Sequence, residues 1–119
     1  NEGQPVMRHL RDFEDKSSQQ ENFALFIAPS LHRDTLNTFW FSCKYEYEGT
    51  KQKIVPIRIK DLIVILETII RYKEEGIKFT NKELRKLLNN ISSLVFEIDS
   101  ADEWQNAIYR EIKKFKNII

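Results

Sequence analysis

Glu2, Arg8 and His9 lie close together in the opening run Glu2-Gly3-Gln4-Pro5-Val6-Met7-Arg8-His9. A carboxylate, a guanidinium and an imidazole in one short segment are the groups that hold a hard cation and contact a phosphate. Glu2 and His9 are seven residues apart, which puts them on one helix face but about 10.5 Å apart along its axis. They cannot grip one metal ion as an i, i+4 pair would. Glu2 can instead hold Mg²⁺ while His9 or Arg8 touches the phosphate of the same substrate. Against this stands the plainer reading that all three are solvated terminal residues.

A second pair, His32 and Arg33, follows a compact apolar run and precedes a helix-like segment. In α/β folds that position, outside the carboxyl end of a strand, is where ligands are contacted. The competing reading is a loop histidine bonded to backbone. There is no Gly-rich phosphate loop, no nucleophile elbow and no histidine beside a cysteine, so nothing supports a hydrolase triad or a nucleotide-binding loop. Trp40, Phe41, Tyr45 and Tyr47 with Lys44 have the types that stack on nucleic acid, but aromatic residues at these spacings read as core.

The elements that must position these groups follow from the apolar pattern. Pro5 suits a first helical turn, and Val6, Leu10 and Phe13 fall at i, i+4, i+7, predicting a helix from about Pro5 to Asp15. Phe23 to Ala28, closed by Pro29, reads as a strand buried on both faces, as in a parallel sheet. Asp34 to Glu48 fits either period. Its length favours a helix, with Asp34 or Thr35 accepting from the first-turn amides and Gly49 as the left-handed stop. Ile54 to Ile59 is a second strand, at an edge or bulged because Pro56 lacks an amide hydrogen. Lys60 to Glu75 is apolar over most of its surface, which predicts a central helix ended by Gly76. Thr80 with Glu83 forms a capping box, and Leu84 to Ile98 continues one stripe. Ser100 with Glu103 repeats the device, before a helix that buries Trp104, Ile108, Ile112 and Phe115 and exposes Arg110, Lys113, Lys114 and Lys116. Those cations complement the helix dipole before they suggest a DNA-binding patch.

Composition sets the bounds. The 119 residues suit one domain, 1–119, with no linker-like segment to divide it. Nineteen Lys and Arg against 18 Asp and Glu leave a net charge of +1, so any DNA contact must be local. Even the apolar runs Phe23 to Ala28 and Leu62 to Leu66 are far too short to span a bilayer. The single cysteine, Cys43, reads as a small core residue, allows no internal disulfide and suits a reducing cytoplasm. The first residue is Asn1, with neither an apolar signal core nor an Arg-rich transit pattern after it, so the start is expected to be a cut through a longer protein.

Three of these segments also carry a resemblance. Glu2-Gly3-Gln4-Pro5-Val6-Met7-Arg8-His9 resembles the E-G-x-P/S-V-x-R-H segment of AlwI-like Type IIS restriction and nicking endonucleases, whose nuclease domains belong to the PD-(D/E)XK superfamily. Phe23 to Thr35, reading F-A-L-F-I-A-P-S-L-H-R-D-T, is similar to that family's buried strand and A-P-x-I-H-x-D-T turn. Ile54-Val55-Pro56-Ile57 is similar to its short final strand. The order of elements parallels the second half of the FokI cleavage domain, and the likeness covers roughly Glu2 to Asn90.

The resemblance implies an α/β fold, the helix-dominated C-terminal half of a restriction-endonuclease-like fold with two short strands and about five helices. It implies a Mg²⁺-dependent DNA phosphodiesterase of the bacterial cytoplasm. Glu2 matches the conserved glutamate and would be catalytic and a metal ligand. His9 matches the histidine that helps complete the site, and Arg8, with His32 and Arg33, would contact phosphate. The family's first metal-binding aspartate and its E-V-T segment lie upstream of the opening motif and match nothing here. The Mg²⁺ would then be bound mainly by an upstream half of the nuclease domain, and this chain alone would be inactive. Its partners would be that upstream half and, through the complete protein, double-stranded DNA. Whether two nuclease domains pair through the helix that begins at Pro5 stays open. From another class, the alternative is a non-catalytic, helix-rich protein-interaction module in which Glu2, Arg8 and His9 are surface residues.

Overall fold

A computed structural model describes residues 3–16, 22–45 and 51–117, and the side chains of all of these except residues 13–16. The elements run α1 (Gly3–Lys16), β1 (Ala24–Ala28), α2 (Arg33–Lys44), β2 (Ile54–Arg58), α3 (Ile59–Glu74), α4 (Asn81–Ser93), a 3-10 turn (Leu94–Phe96) and α5 (Ala101–Lys116). Five helices and two short strands give the expected helix-dominated α/β fold. Glu2, Tyr47 and Gly49 lie outside the described residues, and so do the expectations that rest on them.

β1 and β2 pair in parallel, in a continuous register from Ala24 opposite Ile54 to Ala28 opposite Arg58. Pro56 sits opposite Phe26 with no bulge. It is tolerated because each strand of a two-stranded sheet is an edge. β2 is buried on both faces, but β1 alternates: Leu25 is 47% exposed and Ile27 38%. That corrects the reading of β1 as buried on both faces. Phe26 packs edge-on against Phe39 of α2, ring centres 5.0 Å apart, so one side of β1 is covered by α2. The register puts Leu25 beside Val55 and Ile27 beside Ile57 on the other side, and burial there stops short of β1.

α1 buries Met7 and Leu10 and half-buries Val6. Of the predicted stripe Val6, Leu10 and Phe13, Leu10 is in the core, Met7 takes a place that was not predicted, and the Phe13 side chain lies outside the described residues. α2 buries Leu36, Phe39 and Cys43 as a helix would, so the 3.6-residue period holds over Arg33–Lys44. Its N-cap is His32, with no side-chain bond to the first turn. Neither Asp34 nor Thr35 takes the capping role, because the helix begins before them. Phe41 and Tyr45 at its far end are 57% and 47% exposed and pack on each other at 4.7 Å. Reading them as core was wrong, since they fall outside the stripe that faces the strands.

α3 is not enclosed. It buries Asp61, Ile65, Thr68 and Tyr72 on one side and leaves the opposite aliphatic side open. It ends at Gly76, whose φ of +73° is the left-handed conformation that glycine adopts without strain. α4 starts at the capping box, Thr80 accepting from the Lys82 amide while Glu83 accepts from the Thr80 amide. The stripe that was expected to run on to Ile98 breaks at Ser93, where a 3-10 turn redirects the chain. α5 begins with Ser100 accepting from the Glu103 amide, but Glu103 accepts from Asp99 rather than from Ser100. Trp104, Ile108, Ile112 and Phe115 are buried as predicted, and the Trp104 indole donates to the Ile91 carbonyl at 2.9 Å. One cluster of buried side chains runs from Met7 and Leu10 through Phe39, Ile54 and Val55 to Trp104 and Phe115.

Candidate functional site

A cleft of about 210 Å³ opens at the carboxyl end of β1, lined by Phe26, Ala28, Pro29, Ser30, His32 and Thr35. It forms because Pro29 and Ser30 end the strand and the chain turns straight into α2, whose first intrahelical bond runs from the Leu36 amide to the His32 carbonyl at 2.9 Å. The first-turn amides of α2 have no side-chain acceptor from the N-cap. Unsatisfied amides at a helix start favour anionic oxygens, while Asp34 in the same turn opposes them. With the His32 imidazole and the Ser30 and Thr35 hydroxyls on its walls, the cleft has the groups to hold a phosphate oxygen.

His32 is therefore where its sequence position predicted, outside the carboxyl end of a parallel strand. It is exposed, and its side chain forms no cap bond. Arg33 is exposed too, but its guanidinium meets the Asp102 carboxylate at 3.7 Å. Arg8 and His9 lie on the exposed side of α1, opposite Met7 and Leu10. Among the described residues, no hydrogen bond or ion pair joins Arg8 or His9 to His32 or Arg33. The structure thus yields two exposed His–Arg pairs on neighbouring elements rather than one closed constellation. No three His, Cys, Asp or Glu side chains among the described residues could hold a metal ion. Glu2, the proposed Mg²⁺ ligand, is not among them, and the described residues by themselves do not make a Mg²⁺ site.

Several residues of this edge were missed by pattern reading. Ser30 and Thr35 flank His32 and Arg33 in the same short turn and could have been inferred from it. Arg58 could not. It ends β2 opposite Ala28, a wall of the cleft, yet two guanidinium bonds of 2.9 Å to Asp61 and the face of the Tyr109 ring at 3.9 Å hold its charge. The hydrogen bond that its guanidinium donates to Asp61 raises the Arg58 pKa above its already high value, so Arg58 is a fixed cation beside the cleft. A larger cavity of about 440 Å³, with Tyr72, Phe79, Leu87 and Phe115 among its walls, lies far along the chain from these groups.

The fold and its cleft define an α/β protein with a potential anion site at the carboxyl edge of a parallel strand pair. The family model described as AlwI restriction endonuclease matches residues 1–65, more than half of the 119 residues, and the chain belongs to that family. The match spans α1, β1, α2, β2 and the first turns of α3. No curated protein matches the sequence.

Proposed function

We propose that this chain is the C-terminal part of the cleavage domain of a Type IIS restriction endonuclease of the PD-(D/E)XK kind, similar to the FokI cleavage domain. The whole enzyme hydrolyses DNA phosphodiester bonds with Mg²⁺. The observation that carries this reading is the coincidence of the family match, residues 1–65, with the segment that holds both His–Arg pairs and the cleft beside His32.

In this reading Mg²⁺ is held mainly by carboxylates upstream of Asn1, with Glu2 contributing. When bound, it supplies charge neutralisation at the phosphate. His9 stands at the border of that site, and Arg8, His32 and Arg33 contact the DNA backbone, which positions a duplex without reading its bases. The open side of β1, with Leu25 and Ile27, supports the reading, because an apolar strand face is normally covered by further structure. The 119-residue chain alone is inactive.

The test is nicking and cleavage of plasmid DNA with Mg²⁺, comparing this chain with a polypeptide extended upstream of Asn1. The extended protein should cut and the 119 residues should not. Glu2→Ala and His9→Ala in the extended protein should each slow cutting by roughly tenfold or more, about 1.4 kcal/mol of barrier, with folding intact. Full rates in both variants would remove those two residues from the mechanism. No cutting by any extended form, and no upstream aspartate and E-V-T-like strand in the reading frame, would favour the interaction module instead.

A further inference from the structure

At the end of α3 the left-handed Gly76 turns the chain, and the Ile77 amide donates to the Tyr72 carbonyl at 2.8 Å. The connection into α4 is thereby held against α3, which brings Phe79 onto Tyr72 and onto Phe115 of α5. The three rings meet pairwise, with centres 5.9 to 6.1 Å apart. Beside them lies the cavity of about 440 Å³, walled by α3, α4, α5 and the connection between the first two. That volume is one at which proteins hold small molecules.

The charged groups around this aromatic floor choose the ligand. Lys78, Lys86 and Lys114 line the cavity together with Glu83 and Glu111. Both carboxylates are already engaged: Glu83 accepts from the Thr80 amide and hydroxyl, and Glu111 accepts from Asn90 at 3.1 Å and meets Lys114 at 4.0 Å. Lys78 and Lys86 are exposed, and no ion pair or hydrogen bond engages either of them among the described residues. The Tyr72 hydroxyl donates to the Phe115 carbonyl, so the floor offers apolar ring surface and its phenol is spent. A cationic ligand would find no uncommitted carboxylate here, and a neutral one would leave two ammonium groups unanswered. An apolar body carrying one negative charge complements both parts of the cavity. Three ring walls favour an aromatic body, since ring pairs gain more than the area they bury.

We propose that this cavity binds a small aromatic carboxylate, with its ring on Tyr72, Phe79 and Phe115 and its charge between Lys78 and Lys86. The inference is independent of the nuclease reading: every lining residue lies beyond the matched residues 1–65, and none belongs to the cleft beside His32. A bound ligand ties the α3–α4 connection to α5 and stabilises the folded chain by mass action.

Naphthylacetate titrated into the isotope-labelled 119-residue chain, followed by amide nuclear magnetic resonance, should give saturable shifts centred on residues 72–79, 83–90 and 111–115. The dissociation constant should lie below about 1 mM, within reach of a ligand of this size. Lys78→Gln and Lys86→Gln should each raise it roughly threefold, and together roughly tenfold, by removing the partners of the carboxylate. Lys113→Gln, an exposed cation of α5 outside the cavity lining, should leave it unchanged, and all these variants should keep the helical circular dichroism. Naphthylethanol, which lacks the charge, should bind roughly tenfold more weakly and ignore the lysine variants. Octanoate, which lacks the ring, should bind roughly threefold more weakly. Shifts that do not saturate, shifts centred on the His32 cleft, a double lysine variant that binds as tightly as the parent, or octanoate binding as tightly as naphthylacetate would each overturn the proposal.

Discussion

The side-chain amide of Gln52 donates to the backbone carbonyl of Met7 at 2.8 Å, joining residues 45 apart in sequence. Gln52 is buried, and its own backbone amide donates to the Ser42 carbonyl at 3.1 Å. One side chain ahead of β2 therefore fixes α1 relative to the end of α2, and Met7 directly precedes Arg8 and His9. Packing of Met7 and Leu10 holds the helix against the core, and this bond sets its position along it. Gln52→Ala should cost about 1–3 kcal/mol, the range for removing a buried polar partner, read as a lower urea midpoint. A loss under about 0.5 kcal/mol would show that packing alone places α1.

Trp104 is wholly buried and bonds to Ile91, so it joins α5 to α4. Trp104→Ala should cost about 3–5 kcal/mol, a large part of the roughly 5–15 kcal/mol that a domain has. Trp104→Phe keeps most of the volume and leaves the Ile91 carbonyl without its indole donor, so it should cost clearly less. Equal losses in calorimetry would contradict the packing seen here.

Burial pushes the Cys43 thiol from its ordinary 9.0 up to about 12, although a bond to the Ile54 backbone works the other way. A group whose pKa is raised on folding contributes its stability below the unfolded value and loses it as pH climbs through the folded one. Stability should therefore decline between about pH 9 and 12. The folded thiol should resist labelling at neutral pH, and labelling should rise in step with urea unfolding. Fast labelling of the folded chain would contradict its burial.

Glu83 has its pKa lowered, chiefly by the hydrogen bond from the Thr80 hydroxyl and then by the Thr80 amide. A lowered carboxylate contributes above its unfolded value and ceases to as pH falls through the lowered one, so acid should fray the start of α4. In a nuclear magnetic resonance titration the Glu83 midpoint should lie below that of a free glutamate. It should move back up in Thr80→Ala. An unchanged midpoint would mean the capping box does not persist in solution.

Arg33 and Asp102 meet at 3.7 Å with both side chains largely solvated, and such pairs contribute little to stability. Arg33→Ala should shift the unfolding free energy by less than about 0.5 kcal/mol. In the complete protein it should weaken binding to DNA of any sequence and reduce the salt dependence by about one counterion. An unchanged salt slope would exclude Arg33 as a phosphate contact.

Much of this architecture is legible in local pattern. The Thr80–Glu83 box, the Gly76 exit and the buried positions of α5 follow from residues within one or two helical turns, where covalent spacing alone brings the groups together. The ambiguous Asp34–Glu48 segment fits both periods and its length favours the helix, which the structure places at Arg33–Lys44 with Leu36, Phe39 and Cys43 buried. The position of His32 was legible for a related reason: a parallel strand followed directly by a helix leaves its turn at the carboxyl edge.

What the pattern could not decide is what lies against each surface. An apolar run such as Leu25 to Ile27 has the same composition whether one face is covered or two, and only the packing of α2 on the Phe26 side separates them. On α3 the mixed side with Asp61, Ile65, Thr68 and Tyr72 meets the core, while the wholly aliphatic side with Ile59, Ile63, Leu66 and Ile70 is open. Arg33 finds Asp102, Arg58 finds Tyr109, and Gln52 finds Met7. Residue type and spacing determined which elements form and where they end, since those choices depend on neighbours along the chain. Partners distant in sequence were settled by the tertiary structure, because burial and pairing depend on distances that no local spacing encodes.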